Sequence, residues 1–310
     1  MGARGAVGAA VTAEVRDLGH DPIQVGRTSV PGGIAADATS SEGLKRIGAA
    51  ARDVDAVIDA SGLERLDLQR AIGTTPLIDI SATASHLTRL AAAAPAGSTV
   101  LLGAGIAPGA SSVLIAALDV APGDDIDVAV LLGAGEAHGA AAVEWTARLA
   151  GTTVFAAPET DAVGGKIRNL RTTRRFPDGG RDRRFLRADF PDDALIGRPR
   201  GLRVRSWLAL DSALATNALA LVGLVPPLAP MLRHAPHLGS DRWRVRVSNR
   251  RTGHTRLASG RGQSVATGRL AARAALRIAE GGVTGVVTMA DVLTPADLVS
   301  VDGIEIDEDR

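Results

Sequence analysis

Short apolar runs alternate with helix-length segments over the first 107 residues of the chain. Five runs have the length of a strand, and most end in polar or small residues: 23–27, 33–37, 56–62, 76–81 and 99–105. Ahead of them, apolar residues from Ala9 to Leu18 repeat at helical spacing until Gly19. Runs that are apolar throughout are typical of parallel strands buried on both faces. The pattern predicts an α/β fold with a Rossmann-type, doubly wound parallel sheet.

The pattern of the strands changes after Pro108. Four segments have strand length, and several alternate apolar and polar residues: 125–132, 202–210, 242–248 and 255–258. Arg242, Arg244 and Arg246 alternate with apolar residues, as in a sheet with one solvated face. We predict a second, α+β substrate domain built on a mixed or antiparallel sheet.

The domain organisation follows from these two patterns. We assign residues 1–107 to the Rossmann domain and 108–261 to the second domain. The final part, 262–310, opens with an Ala-rich helix pattern over 264–280. We expect this part to pack back on the first domain.

Three glycines, Gly2, Gly5 and Gly8, stand directly before the first predicted helix. Glycine at this spacing lets the backbone bend sharply and approach a diphosphate, while the helix N-terminus attracts the anion. The predicted phosphate contacts are Gly2, Arg4, Gly5, Ala6, Val7 and Gly8. An apolar strand normally precedes such a loop, and the sequence has none ahead of Gly2. We therefore expect a truncated gene start that removes the first Rossmann strand.

The residue after the next predicted strand favours NADP over NAD. At this place a dinucleotide site presents an acid to the ribose or a cation to the 2′-phosphate, and the chain presents Arg27. Thr28 and Ser29 add hydroxyl groups suited to phosphate. A surface arginine after a strand is the alternative for Arg27. Asp37 fits two roles equally, a place near the adenine or a loop cap.

The composition excludes several kinds of chemistry. The chain has no cysteine, which removes disulfides and thiolate chemistry and fits a reducing compartment, so we expect a cytoplasmic protein. It has no tyrosine, which excludes the tyrosine–lysine pair of short-chain dehydrogenases, and its only lysines are Lys45 and Lys166. The net charge of +1 gives no overall field that would favour nucleic acid. We predict a solvated loop or hairpin for the basic cluster 166–187, with an anion-binding segment as the alternative.

The longest apolar stretch runs from Trp207 to Leu232, and Asp211 and two prolines interrupt it. These interruptions make it a poor membrane span, and we expect a buried or interface helix instead. Its part from Leu208 to Val225 fits a homodimer interface and the floor of the second domain equally.

The order of the motifs resembles the saccharopine dehydrogenase-like oxidoreductases. The shared features are the glycine loop, Asp79-Ile-Ser81, Gly103-Ala-Gly-Ile-Ala-Pro-Gly109 with Ala110-Ser-Ser, and Gly135-Glu-Ala-His-Gly139 with Trp145. The resemblance covers most of the chain, is most specific at 103–112, and fails over 156–199. It implies hydride transfer between NADP(H) and a carbon–nitrogen bond. The chain is shorter than the saccharopine reductases, so saccharopine itself is not the expected substrate.

Histidine supplies the leading candidates for acid–base chemistry, because imidazole titrates near neutrality. His138 lies in a glycine-rich turn before the helix pattern at 140–149, with Glu136 placed to orient it or to bind an ammonium group. Capping of that helix is the alternative role for both residues. His86, after the strand that contains Asp79, is the next candidate. We predict no metal site, because His234 and His237 have no third ligand at suitable spacing.

The ends of the apolar runs supply the remaining predicted contacts to the cofactor. Asp59, Ser61, Asp79 and Ser81 are expected to border the nicotinamide half of the site, together with Gly105. Hydrogen bonding within the strand ends is the alternative.

The function expected from all these features is NADP(H)-dependent oxidation or reduction of a small imine, amine or carbonyl substrate. A non-catalytic NADP-binding sensor or scaffold is the alternative, because no acid–base residue stands out. A fragment without a stable cofactor site is the third reading.

Overall fold

The computed structural model describes residues 1–28, 31–136, 140–159, 166–234 and 239–309. The chain divides into two compact units. The first comprises Met1–Val113 and Ser264–Val301, and the second comprises Leu114–Gln263 and Asp302–Arg310. The sequence-based boundaries were 107 and 262.

Helices and strands alternate in the first part of the chain, and strands dominate the second. The strands are β1 (Val25–Gly26), β2 (Ile34–Ala35), β3 (Val57–Asp59), β4 (Leu77–Asp79), β5 (Thr99–Leu102), β6 (Asp125–Leu132), β7 (Thr173–Asp178), β8 (Arg181–Arg187), β9 (Arg203–Leu210), β10 (Arg242–Asn249), β11 (Thr255–Arg261), β12 (Gly285–Thr288) and β13 (Ile304–Asp309). The α-helices are α1 (Ala6–Asp17), α2 (Ser41–Ala50), α3 (Leu66–Ile72), α4 (Ala84–Ala93), α5 (Ala110–Ala116), α6 (Ala140–Leu149), α7 (Ala213–Leu224), α8 (Gln263–Ala279), α9 (Met289–Val292) and α10 (Pro295–Val299). Short 3-10 and π segments cover Ala51–Asp53, Asp193–Gly197, Arg198–Arg200 and Pro226–His234.

The first unit has the predicted α/β architecture around parallel strands. Four strands form a parallel sheet in the order β12, β5, β4, β3, and β1 pairs with β2 in a second parallel ladder. The centre of the sheet is fully apolar, with Ile78, Val100 and Leu101 at 0 % exposure. Burial on both faces explains why these strands read as continuous apolar runs rather than alternating ones.

Helix α8 packs on α1 within the first unit. A Cβ atom at Gly268 would lie 2.6 Å from the Cβ of Ala10, so glycine allows the two helices to approach closely. Arg273 Nε donates to Glu14 Oε1 at 2.9 Å, and Arg269 Nε lies 3.4 Å from Glu14 Oε2. The helix that follows the second domain in sequence therefore supports the N-terminal helix.

The second unit contains a mixed sheet of seven strands, in agreement with the predicted α+β domain. The strand order is β13, β11, β10, β6, β9, β8, β7, and β6 and β9 form its parallel pair. In β10, Val245 and Val247 are 0 % exposed, while Arg242 is exposed and Arg244 is half-buried. The basic cluster forms the hairpin of β7 and β8, so the hairpin prediction is confirmed.

The expectation of a helix in the apolar stretch 207–232 holds only for the middle of that stretch. The stretch is divided into the end of β9, helix α7 and a 3-10 segment that starts at Pro226. Leu214, Leu221 and Leu224 on α7 are exposed. Among the described residues, no helix combines the length and the apolar character needed to cross a bilayer.

Candidate functional site

The glycine loop is packed so tightly that two of its residues have no room for a side chain. Gly2 has a φ of +69°, and a Cβ there would lie 2.3 Å from the carbonyl oxygen of Ala60. A Cβ at Gly8 would lie 2.2 Å from the carbonyl oxygen of Gly2. The Gly5 N–H donates to that same oxygen at 2.9 Å and closes the turn. The loop is therefore held by backbone contacts that require glycine at both ends.

This loop leads directly into the N-terminus of α1. The first bond of the helix runs from the Ala9 N–H to the Gly5 carbonyl at 2.9 Å. The N–H groups of Ala6, Val7 and Gly8 precede it and have no hydrogen-bond partner among the described residues. Free amides and the positive end of the helix dipole together favour a bound anion such as a diphosphate.

Strands β3 and β4 end in the same way, each with an aspartate that folds back on its own chain. Asp59 Oδ1 accepts from the Ser61 N–H at 3.0 Å, and Asp79 Oδ1 accepts from the Ser81 N–H at 2.7 Å. The strands are parallel neighbours in register, so both carboxylates lie at one sheet edge. Ser61 and Ser81 are half-buried beside them. The hydrogen bonding at these strand ends was the alternative role for the four residues, and it is present.

The two carboxylates are buried close to each other, and this changes the acidity of one of them. Burial raises the pKa of Asp59, and the charge of Asp79 raises it further. The hydrogen bond from Ser61 and the ammonium group of Met1 oppose this rise. Asp59 therefore binds a proton more readily than an exposed aspartate does.

His86 lies on α4 and turns back to β4. Its Nε2 is 3.3 Å from Asp79 Oδ2, and the side chain is 1 % exposed. Its other ring nitrogen, Nδ1, is buried and has no partner among the described residues. A buried imidazole held by a carboxylate fits a positioning role at the end of β4 rather than direct contact with a substrate in this conformation.

Arg27 follows the last residue of β1 and is exposed, as is Thr28. Hydrogen bonds from Thr39 lower the pKa of Asp37, and the charges of Arg27 and Arg65 lower it further, against the effect of burial. Asp37 Oδ1 accepts from the Thr39 N–H at 2.9 Å and from Thr39 Oγ1 at 2.8 Å. Asp37 therefore caps its own loop, which was one of its two predicted roles. Ser29 lies outside the described residues.

The turn after β5 comes close to the end of β4. The Ala104 N–H donates to the Asp79 carbonyl at 2.8 Å, and the Gly105 N–H donates to the Pro108 carbonyl at 3.0 Å. At Gly109 φ is +132°, and a Cβ there would lie 2.0 Å from the Gly105 carbonyl oxygen. The motif at 103–109 is thus a compact turn into α5 that requires glycine. It brings Gly105 to the sheet edge that carries Asp79.

The remaining acid–base candidates belong to the second unit. Glu136 Oε2 accepts from the Gln263 N–H at 2.7 Å, so Glu136 caps the first residue of α8. Its capping of α6 stays a prediction, because residues 137–139 lie outside the described residues. His138 and His237 lie outside the described residues. Within the described part of the chain, no three His, Asp or Glu side chains are grouped to hold a metal ion.

Sequence reasoning missed the role of Met1. The Met1 amino group donates to the Ile58 carbonyl at 2.5 Å, and the Ala60 N–H donates to the Met1 carbonyl at 3.2 Å. Burial lowers the pKa of this amino group, and the charge of Asp59 opposes the effect. The sequence carries no signal for this contact, because it depends on a strand 57 residues away.

Comparison with known proteins identifies no relative, so the function is argued from the residues of the site alone. No protein-family model matches the chain, and no curated protein matches its sequence.

Proposed function

We propose that the chain is an NADP(H)-dependent oxidoreductase of the saccharopine dehydrogenase-like kind. The supporting observation is the glycine loop. It lies at the edge where the parallel strands end, has no room for side chains at Gly2 and Gly8, and leads into the free amides of α1. In open α/β sheets this edge is where ligands bind, and a diphosphate complements the helix terminus.

Arg27 is proposed to give the site its selectivity for NADP over NAD. It is an exposed cation directly after β1, where a Rossmann site meets the adenosine ribose. A guanidinium group matches the geometry and charge of a phosphate. Arg4, exposed in the glycine loop, is the second cation available to the phosphates.

The reaction is proposed to be hydride transfer to or from a small imine, amine or carbonyl compound. NADP(H) supplies or accepts the hydride, and the protein binds and orients the reactants. Ser61 and Ser81 are half-buried polar residues at the expected nicotinamide end, where Asp59 and Asp79 fix the loops that carry them. His86 is proposed to take a positioning role through Asp79. For the proton transfer, His138 stays the candidate from the sequence, and it lies outside the described residues.

One observation favours the second candidate function, NADP binding without turnover. In the described part of the first unit, the acid–base candidate His86 is nearly inaccessible, at 1 % exposure, and so are the neighbouring carboxylates of Asp59 and Asp79, at 6 % and 3 %. A sensor or scaffold predicts tight NADPH binding and no transfer of hydride to any imine or carbonyl substrate.

Substitution of the two cations tests the proposal. Loss of one charged hydrogen bond costs about 1.5–3 kcal/mol. Arg27→Ala should therefore weaken NADPH binding about 10- to 100-fold and leave NADH binding within about 2-fold. Arg4→Ala, the matched control, should weaken both cofactors equally, because both carry the diphosphate. If Arg27→Ala weakened NADPH binding and NADH binding equally, Arg27 would not be the residue that recognises the 2′-phosphate. Oxidation of bound NADPH by a panel of small imines and ketones separates the enzyme from the sensor.

A further inference from the structure

A deep apolar groove lies in the first unit between β1 and β3. It has a volume of about 910 Å³, and its two long walls are residues 20–25 and 53–58. Val11 and Val15 of α1 line one side, and Ala275 and Leu276 of α8 also line it. Ile58 of β3 is half-buried, whereas Ile78, its partner on β4, is 0 % exposed. The sheet surface is therefore less covered at β3 than at its centre.

The main chain of Met1–Ala3 already forms a parallel ladder at one end of this groove. Met1 donates to the carbonyl of Ile58 and accepts from the N–H of Ala60, which is the hydrogen-bond pattern of a residue placed opposite Asp59 in a parallel pair. On the other side, the Ala3 N–H donates to the Val25 carbonyl at 3.4 Å. Met1–Ala3 thus joins β1 and β3 as the carboxyl end of a strand between them.

The backbone next to the groove is oriented to extend this ladder. Strand residues point their N–H and C=O groups to alternate sides. The Val57 N–H donates to Pro76 on the β4 side, so the N–H of Ile58 points toward the groove. The N–H groups of Ile34 and Ala36 donate to the carbonyls of Gln24 and Gly26 on the β2 side. The N–H and C=O groups of Val25, which lies between these two residues, therefore point toward the groove.

The amino group of Met1 supplies a second, independent observation. It occupies the position of a ladder N–H, where burial disfavours its charge. A peptide N–H at this position makes the same hydrogen bond to Ile58 without burying a charge.

We propose that the groove binds an extended apolar strand of about five residues, which runs parallel to β1 and β3 and continues Met1 in the amino direction. The wall Ile23–Val25 and the wall Val57–Ile58 set its hydrogen bonding, and apolar residues of α1, α2 and α8 line the groove around its side chains. We therefore expect the side chains on both faces of the bound strand to be apolar, with β-branched residues preferred. With this strand in place, β2, β1, the added strand, β3, β4, β5 and β12 form one continuous parallel sheet. The proposal is independent of the bound cofactor and is tested without it.

The test compares three forms of the full chain that differ in a five-residue extension ahead of Met1. One extension alternates valine and isoleucine, one consists of serine and asparagine, and one is the apolar extension with proline at its third position. Thermal unfolding without cofactor should show a midpoint roughly 5–10 °C higher for the apolar form than for the polar form. Proline removes a ladder N–H and should abolish most of this gain, whereas a nonspecific apolar tail would tolerate it.

Hydrogen exchange locates the strand. Amides in 21–26 and 54–60 should exchange at least about 10-fold more slowly in the apolar form, while β10 in the second unit serves as the unchanged reference. Equal unfolding midpoints for the apolar and polar forms would overturn the proposal. So would an equal gain from the proline form, or a gain without slower exchange at β1 and β3. Stabilisation of all forms alike by a small apolar compound would assign the groove to a ligand instead.

Discussion

Gly5 and Gly8 should respond to the same substitution in different ways, because only one of them is packed against backbone. Alanine at Gly8 places a Cβ 2.2 Å from the Gly2 carbonyl oxygen and 2.9 Å from the Cα of Ala3. The loop must move by about 1 Å to restore an ordinary contact. Alanine at Gly5 meets only the Gly2 carbonyl oxygen, at 3.3 Å, and is otherwise unobstructed.

The magnitudes follow from two opposing terms. Alanine inside a helix is favoured over glycine by about 1 kcal/mol. Overpacking costs about 1–3 kcal/mol, and the upper end applies at Gly8 because the contact is with backbone. Gly8→Ala should therefore lose about 2 kcal/mol, or roughly 4–8 °C of the midpoint for a unit of this size. Gly5→Ala should lose less than about 1 kcal/mol, as an N-cap substitution does.

Cofactor binding separates the two substitutions further. Gly5 is exposed and directly precedes the free amides of α1, so a methyl group there should hinder the approach of the diphosphate. Gly5→Ala should therefore weaken NADPH binding at least about 10-fold, about 1.4 kcal/mol, without unfolding the loop. Thermal unfolding and calorimetric titration of both variants measure the two effects. The reasoning fails if Gly8→Ala is as stable as the parent chain, or if Gly5→Ala binds NADPH normally.

Two further substitutions test buried charges. Arg187 is 2 % exposed and pairs with Glu159 at 2.8 Å, so Arg187→Met should lower the free energy of unfolding in urea by about 3–5 kcal/mol. The same change at Arg203, whose side chain is 51 % exposed, should cost at most about 1 kcal/mol, and equal losses would contradict the burial argument. Asp59→Asn should gain stability relative to the parent as pH rises from about 4. Burial and Asp79 raise the Asp59 pKa, so the folded parent holds a proton that the unfolded chain has lost, and its stability falls with rising pH through that interval. A pH-independent difference between the two proteins would refute this assignment.

Elements with a clear hydrophobic period could be predicted closely from the sequence. The prediction of 125–132 agrees with β6 (Asp125–Leu132), and 242–248 differs from β10 by one residue. In β10 the arginines and the buried apolar residues alternate, so the local sequence contains the same information as the burial in the sheet.

Two features of the fold could not be predicted in this way. The stretch 207–232 is apolar in both strand and helix, and uniform apolar character does not distinguish the two. Strand β12 (Gly285–Thr288) was not predicted, because it is short and its partner β5 lies 186 residues earlier in the chain, from Gly285 back to Thr99. Its Val286 is 45 % exposed, which is unlike the central strands.

In the candidate site, too, some features could be predicted from the sequence and others could not. The glycine loop and the aspartates that end β3 and β4 could be identified because their chemistry is local. The contact of His86 with Asp79 and the contact of the Met1 amino group with Ile58 depend on tertiary packing. The contact of Glu136 with the first residue of α8, 127 residues later in the chain, also depends on tertiary packing.

The most direct test of the central claim is calorimetric titration with NADPH and NADH of the chain and of its form with the apolar extension. The account predicts NADPH binding at least about 10-fold tighter than NADH binding, and loss of this preference in Arg27→Ala. Failure of both forms to bind either nucleotide would contradict the assignment of the glycine loop as a dinucleotide site. Even then, a gain in thermal stability from the apolar extension would support the proposal that the groove binds a strand.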